Sequence, residues 1–119
     1  MATIKWQKVK TPFDGTVQLF KWANMADGDV GQAVAAAGFN DKTVRVAGDF
    51  GAGGQVVAEG SLIPETVLAA DYDPLVDPQG NPIAFSVAGI ETVLENVYLF
   101  RPRVAAGTGV DVTVYLLTR

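Results

Sequence analysis

The sequence predicts an all-β domain: an antiparallel β-sandwich, with a jelly roll among the topologies open to it, and an extended N-terminal arm. Three observations predict it. Two runs, "DKTVRVAGDF" (41–50) and "VDVTVYLLTR" (110–119), alternate apolar and polar residues with period two, as a strand with one buried face requires. Turn chemistry punctuates the chain at short intervals: Asp27-Gly28, "GAGG", "DPQGNP" and "GTG". The 119 residues are 49% hydrophobic and 18% charged, which suits one domain with a real core and not a disordered chain. About seven or eight short strands at this spacing point to a sandwich.

Residues 1–13 read as an arm and residues 14–119 as the single sandwich domain. In the arm, Lys5, Lys8 and Lys10 interleave with Ile4, Trp6 and Val9, and Pro12 ends the segment. A mobile terminus and an arm that orders on a partner both fit that pattern. "TVQLFKW" (16–22) alternates, with Phe20 and Trp22 facing one way and Leu19 and Lys21 the other. "NMADGDVG" (24–31) is a turn. "QAVAAAGF" (32–39) is too short for a stable helix despite its alanines, and reads as extended. In 41–50, Val44, Val46, Gly48 and Phe50 share a face. "GQVVAEGSL" (54–62) reads as the hairpin partner of that strand, with Val56, Ala58, Gly60 and Leu62 inward and Val57, Glu59 and Ser61 outward. After "DPQGNP", "IAFSV" (83–87) alternates, and "AGIETVLEN" (88–96) spaces Ile90, Val93, Leu94 and Val97 as one turn of helix would. "VYLFRPRVA" (97–105) is β-rich, but Pro102 cannot donate to a ladder and belongs at an edge or a bulge. In the last strand Val110, Val112, Val114 and Leu116 point inward.

The composition excludes several chemistries. There is no cysteine and no histidine, so neither a thiolate or imidazole metal site nor a Ser–His or Cys–His nucleophile can be built. A formal net charge of −4 disfavours nucleic acid as a partner. The first fifteen residues lack the apolar core of a secretory signal, and no apolar run approaches the roughly 20 residues of a membrane span, so a soluble chain without a membrane partner is expected. The glycine-rich "VAGDFGAGGQVVAEGS" (46–61) lacks the following helix and the Gly-Lys-Ser/Thr of a phosphate loop. Asp71, Asp73, Asp77 and Asn81 offer oxygen ligands, but the spacing fails the EF-hand pattern and suits turn-forming residues better. No cofactor, metal or catalytic residue is expected. Arg101 and Arg103 flank Pro102; their guanidinium groups suit carboxylates on a partner, and they also read as ordinary edge charges.

Three segments carry a resemblance: "DKTVRVAGDFGAGGQVVAEGS", "DPQGNPIAFSVAGIETVLEN" and "YLFRPRVAAGTGVDVTVYLLTR". In this order they resemble the small proteins that accompany the major capsid protein of tailed bacteriophages. The resemblance covers residues 16–119, and only "SLIPETVLAADY" (61–72) departs from the family's pattern. It implies a decoration, or cement, protein on the outer capsid shell of the virion, not an enzyme. The implied partners are the major capsid protein and further copies of the chain, as dimer or trimer. On that reading Lys5, Lys8 and Lys10 meet acidic groups on the capsid, Trp6 is the arm's apolar anchor, and Arg101 and Arg103 contact the shell or a neighbouring copy. The alternative is a carbohydrate-binding sandwich of a phage tail or surface protein, using Trp6, Trp22 or Tyr72 to stack on sugar rings.

Overall fold

The computed structural model describes residues 1–11 and 16–119. Pro12 and Phe13, and with them the expected end of the arm, lie outside the described residues. The strands are β1 (Thr3–Ile4), β2 (Gln7–Val9), β3 (Gln18–Met25), β4 (Val30–Gly31), β5 (Val34–Ala35), β6 (Lys42–Asp49), β7 (Ala52–Ser61), β8 (Asp73–Pro74), β9 (Ala84–Phe85), β10 (Gly89–Thr92), β11 (Leu99–Thr108) and β12 (Asp111–Thr118). Among the described residues, the helical structure is one 3₁₀ turn at Ala69–Asp71. One sheet runs β10-β6-β12-β3-β2; the other runs β1-β4-β11-β7-β8, with β5 also on β11 and β9 also on β7. The two sheets form the antiparallel-rich sandwich that the alternation predicts.

The alternating runs place the core. Val114 is paired with Val46 on one side and Trp22 on the other, and Leu116 with Val44 and Phe20. All six are buried. The facing sheet supplies Phe100, Val104, Val56 and Ala58. Trp22 and Phe100 bridge the layers with ring centroids 6.0 Å apart. The indole N–H of Trp22 donates to the Gln32 carbonyl at 2.9 Å, so its one polar atom is satisfied inside. Each such buried aliphatic or aromatic side chain contributes roughly 1.5–3 kcal/mol.

The glycine-rich stretch does not form the expected hairpin. β6 and β7 lie in different sheets, and so do β11 and β12. Each connection is a corner where the chain changes sheets. The corners run together, because β6 pairs β12 before the bend and β7 pairs β11 after it. One long antiparallel ribbon therefore folds over on itself. Crowding at the fold explains the glycines. A Cβ on Gly51 would lie 2.1 Å from the Thr108 carbonyl oxygen, and one on Gly107 2.6 Å from the Gly54 Cα. Both residues also have positive φ, +58° and +119°, which L side chains rarely adopt. Local alternation cannot separate a hairpin from a corner, since the strands read alike in both.

Other expectations divide. Residues 34–35 are extended, as read. The expected turn of helix at 88–96 is absent: Gly89–Thr92 is an edge strand on β6, and only Val93 and Val97 of the apolar set are buried, Ile90 and Leu94 being exposed. At the end of β7 the alternation breaks, with Ser61 buried and Leu62 exposed. The Ser61 hydroxyl accepts the Ile63 N–H at 3.0 Å, which turns the chain out of the sheet before Leu62. Pro102 is at no edge: β11 is interior, yet its missing donor costs nothing. On one flank β11 pairs β5 at Leu99 and Phe100 and β4 at Arg103, with a break in the pairing at Pro102, whose ring packs on Gly31. Val104 donates to Asp29 on that flank, so alternation aims the Pro102 nitrogen at the break in the ladder, where Gly31 leaves room for the ring.

The N-terminal segment is extended but does not stand off as an arm. β1 adds in parallel to β4 of one sheet, and β2 adds antiparallel to β3 of the other. Between them Trp6 packs edge-on against Phe20, with ring centroids 5.3 Å apart. The buried Asp29 carboxylate accepts the Ala2 N–H at 2.9 Å and the Ala26 N–H at 2.8 Å, tying the segment to the β3–β4 turn.

Candidate partner-binding site

The outer face of the β7–β11 pair carries the most organised charged cluster. Phe100, Pro102 and Val104 point into the core, so period two sends Arg101 and Arg103 outward. Register sets Glu59 directly opposite Arg101 and one step along from Arg103. The carboxylate takes both guanidiniums: Arg101 Nε donates to Oε1 at 3.1 Å and Arg103 Nε to Oε2 at 3.0 Å. Arg101 and Glu59 are largely covered, with side chains 11% and 12% exposed, whereas Arg103 is 39% exposed.

Tyr72 completes the cluster. The Arg101 guanidinium carbon lies 3.6 Å from the centroid of its ring, a cation–π stack that fixes the fork in place. The Tyr72 hydroxyl donates to the Thr66 carbonyl at 3.1 Å. Burial pushes the Tyr72 phenol above its ordinary value; Arg101 opposes that, and Glu59 and Asp71 add to it. The two guanidiniums share the Glu59 carboxylate, with Asp71 the further acid beside Tyr72. Arg103 is the exposed guanidinium of the cluster, a group whose chemistry suits carboxylates.

The other expected site residues are scattered. Thr3 pairs Val30, which pairs Arg103, so the start of the N-terminal segment lies two strands from the arginine, about 10 Å away. Lys5 is exposed just after β1. Lys8 and Lys10 are also exposed, but at the β2 edge of the opposite sheet. Trp6 is engaged by its own chain: besides the Phe20 contact, its indole N–H donates to the Ala33 carbonyl at 3.2 Å. The aromatics considered for sugar stacking form no platform, since Trp22 is fully buried and Tyr72 is covered by Arg101.

Of the acidic candidates, Asp71 and Asp77 are engaged within the fold and Asp73 is exposed. Asp77 Oδ1 accepts the Gln79 and Asn81 N–H groups at 2.9 and 3.0 Å, the turn-forming role read from "DPQGNP". Asp71 bonds the Thr66 hydroxyl. Among the described residues no group of three or more acidic side chains is placed to hold a metal. No helix is long and apolar enough to cross a membrane. Sequence reasoning missed Glu59 and Tyr72 as partners of the arginines. Glu59 is 42 residues from Arg101, and only strand register joins them.

No family model matches the chain, and no curated protein matches its sequence. Among solved structures, the SPBc2 prophage-derived protein YomS is similar over 91% of this chain and 98% of its own, with a TM-score of 0.52 and 12% identity. A cupin domain from Bordetella pertussis Tohama I aligns over 100% of this chain and 98% of its own, with a TM-score of 0.49 and 13% identity. The Aeromonas hydrophila protein PliG, a periplasmic inhibitor of g-type lysozyme, aligns over 99% and 96%, with a TM-score of 0.49 and 9% identity. The likeness to the prophage-derived protein is one of fold.

Proposed function

We propose that the chain is a decoration protein of a tailed bacteriophage: a non-enzymatic virion component that binds the outer surface of the assembled capsid and stabilises it. The observation that carries the reading is the Arg101–Glu59–Arg103 cluster, which holds the part-exposed Arg103 guanidinium in a fixed place on an acidic molecule. The order of the capsid-associated motifs and a prophage-derived protein of similar fold support it. In this mechanism Arg103, steadied by Glu59 and by Arg101 on Tyr72, meets a carboxylate of the major capsid protein. Lys5, Lys8 and Lys10 add long-range attraction to acidic capsid surface. Trp6 serves indirectly, by holding the lysine-bearing segment on the sandwich. Binding only to assembled shell stabilises that shell by RT ln(1 + [L]/Kd), about 2.7 kcal/mol per site at 100 Kd. Multiplied over many copies, a modest contact protects the whole particle.

The test is co-sedimentation with capsids that lack the protein. The wild-type chain should pellet with them, Arg103→Glu should bind at least about tenfold more weakly, and Arg119→Glu, altering an exposed pair with Asp41, should bind normally. Equal binding by all three removes the arginine from the contact, and failure of the wild type to pellet with any shell removes the function.

A further inference from the structure

Residues 61–72 leave the end of β7 and expose four large apolar side chains. Leu62, Ile63, Val67 and Leu68 are between 50% and 86% exposed. The segment is nevertheless tied down. Leu68 N–H donates to Thr66 Oγ1 at 3.3 Å, the Thr66 hydroxyl bonds Asp71, and Tyr72 holds the Thr66 carbonyl. At its tip Glu65 adopts a left-handed φ of +64°, a strained conformation for a side chain with a Cβ. This is a rigid apolar knob with one acid at its turn.

The outer face of the five-stranded sheet is its complement. Across it, register aligns Lys21, Tyr115, Arg45 and Ile90 in one row, with Leu19, Leu117 and Thr43 in the next. Leu19, Ile90, Tyr115 and Leu117 help line a hollow of about 250 Å³. Ile90 and Leu117 are exposed. The Lys21 amine and the Arg45 guanidinium each lie 5.9 Å from the Tyr115 ring centroid, so the apolar patch is flanked by two cations. The knob hangs from the opposite sheet, a sandwich thickness of about 10 Å away, so it is not positioned to cover this face in its own molecule.

We propose that the knob of one copy docks on this face of a second copy, head to tail, with Leu62, Ile63, Val67 and Leu68 over the hollow and Glu65 against Lys21 and Arg45. Charge selects this occupant. Two such faces packed on each other would set cations against cations, whereas the knob brings apolar surface and the opposite sign. The contact gives an interface to the further copies of the chain that the resemblance implies, and does not depend on capsid binding.

The test is sedimentation velocity of the full chain, without shells, over a concentration series. The wild type should associate. A knob variant, Val67→Asp with Leu68→Asp, and a face variant, Ile90→Glu with Leu117→Glu, should each associate at least about tenfold more weakly. All four positions are exposed, and unchanged melting checks that both variants fold. A mixture of the two variants retains one intact contact and should form dimers and nothing larger; a face-to-face dimer would give no such rescue. A wild type that stays monomeric at every concentration overturns the proposal. So do variants that associate normally, including any that lose only shell binding, since the face then belongs to the capsid contact.

Discussion

Val114 lies between Val46 and Trp22 with no exposed surface, while Val57 sits on the outer face beside Arg103. Val114→Asp would put a charge where no partner exists and should cost roughly 4 kcal/mol or more. Val57→Asp leaves its carboxylate near water and a guanidinium, and should change stability far less. Thermal melts of the two variants check this; equal large losses would mean that β7 is out of register by one residue, and equal small ones that β12 is. At this scale the alternation was legible because period two depends only on neighbours in the chain. The Arg101 and Arg103 pair was legible too, as charges flanking a proline. Their orientation was not, because Glu59 and Tyr72 reach them only through strand pairing and the return of residues 62–71.

The N-terminal segment tests the element scale. Its basic and apolar residues alternate as a free arm's would, yet β1 and β2 join both sheets and Trp6 packs on Phe20 between them. Deleting residues 1–11 would expose Phe20 and leave the buried Asp29 without the Ala2 N–H. The truncated chain should therefore melt measurably lower, by about 5–10 °C if roughly 2 kcal/mol is lost from a domain of this size. An unchanged melting temperature would show that the segment adds nothing to the fold and acts only as a tail. The glycine corner makes the same point. Gly48 and Gly51 are required because two backbones cross there at contact distance, a requirement set by β11–β12 from the far end of the chain.

At the scale of the whole molecule, three groups among the described residues tie stability to pH. Asp27 accepts the Val110 and Gly109 N–H groups, which hold its carboxyl below the ordinary aspartate value. That contribution is present above the unfolded value and is lost as pH falls through the folded one. Lys42 is fully buried, its amine donating to Asn96 Oδ1 at 3.1 Å and to the Phe39 carbonyl at 3.3 Å. Burial pushes it below the ordinary lysine value, against the pull of Asp41 and Glu95. Between its folded and unfolded values the unfolded chain binds more protons, so stability rises with pH there. Tyr72 has the opposite sign: raised by burial, it makes the folded chain the better proton binder above the ordinary tyrosine value, and stability falls. Lys42→Met should remove the alkaline rise that the wild type shows as pH climbs toward about 10. Melting curves from neutral pH upward check this, and parallel profiles for the two chains would exclude the lysine as the cause.

Composition and alternation alone determined the all-β class, the inward faces of β6 and β12, the extended residues 34–35 and the turns at Asp27-Gly28 and Asp77. Each follows from local physics: period two, glycine's left-handed freedom, or a carboxylate that caps its own turn. Tertiary structure decided which strands share a sheet, and so turned an expected hairpin into a corner. It also drew the N-terminal segment into both sheets, set Pro102 against Gly31 at a break in the ladder, and placed Glu59 between two arginines. Those outcomes depend on which distant backbone offers a partner for a given N–H or apolar face. That information lies in the packing of the two sheets, not in any window of the chain.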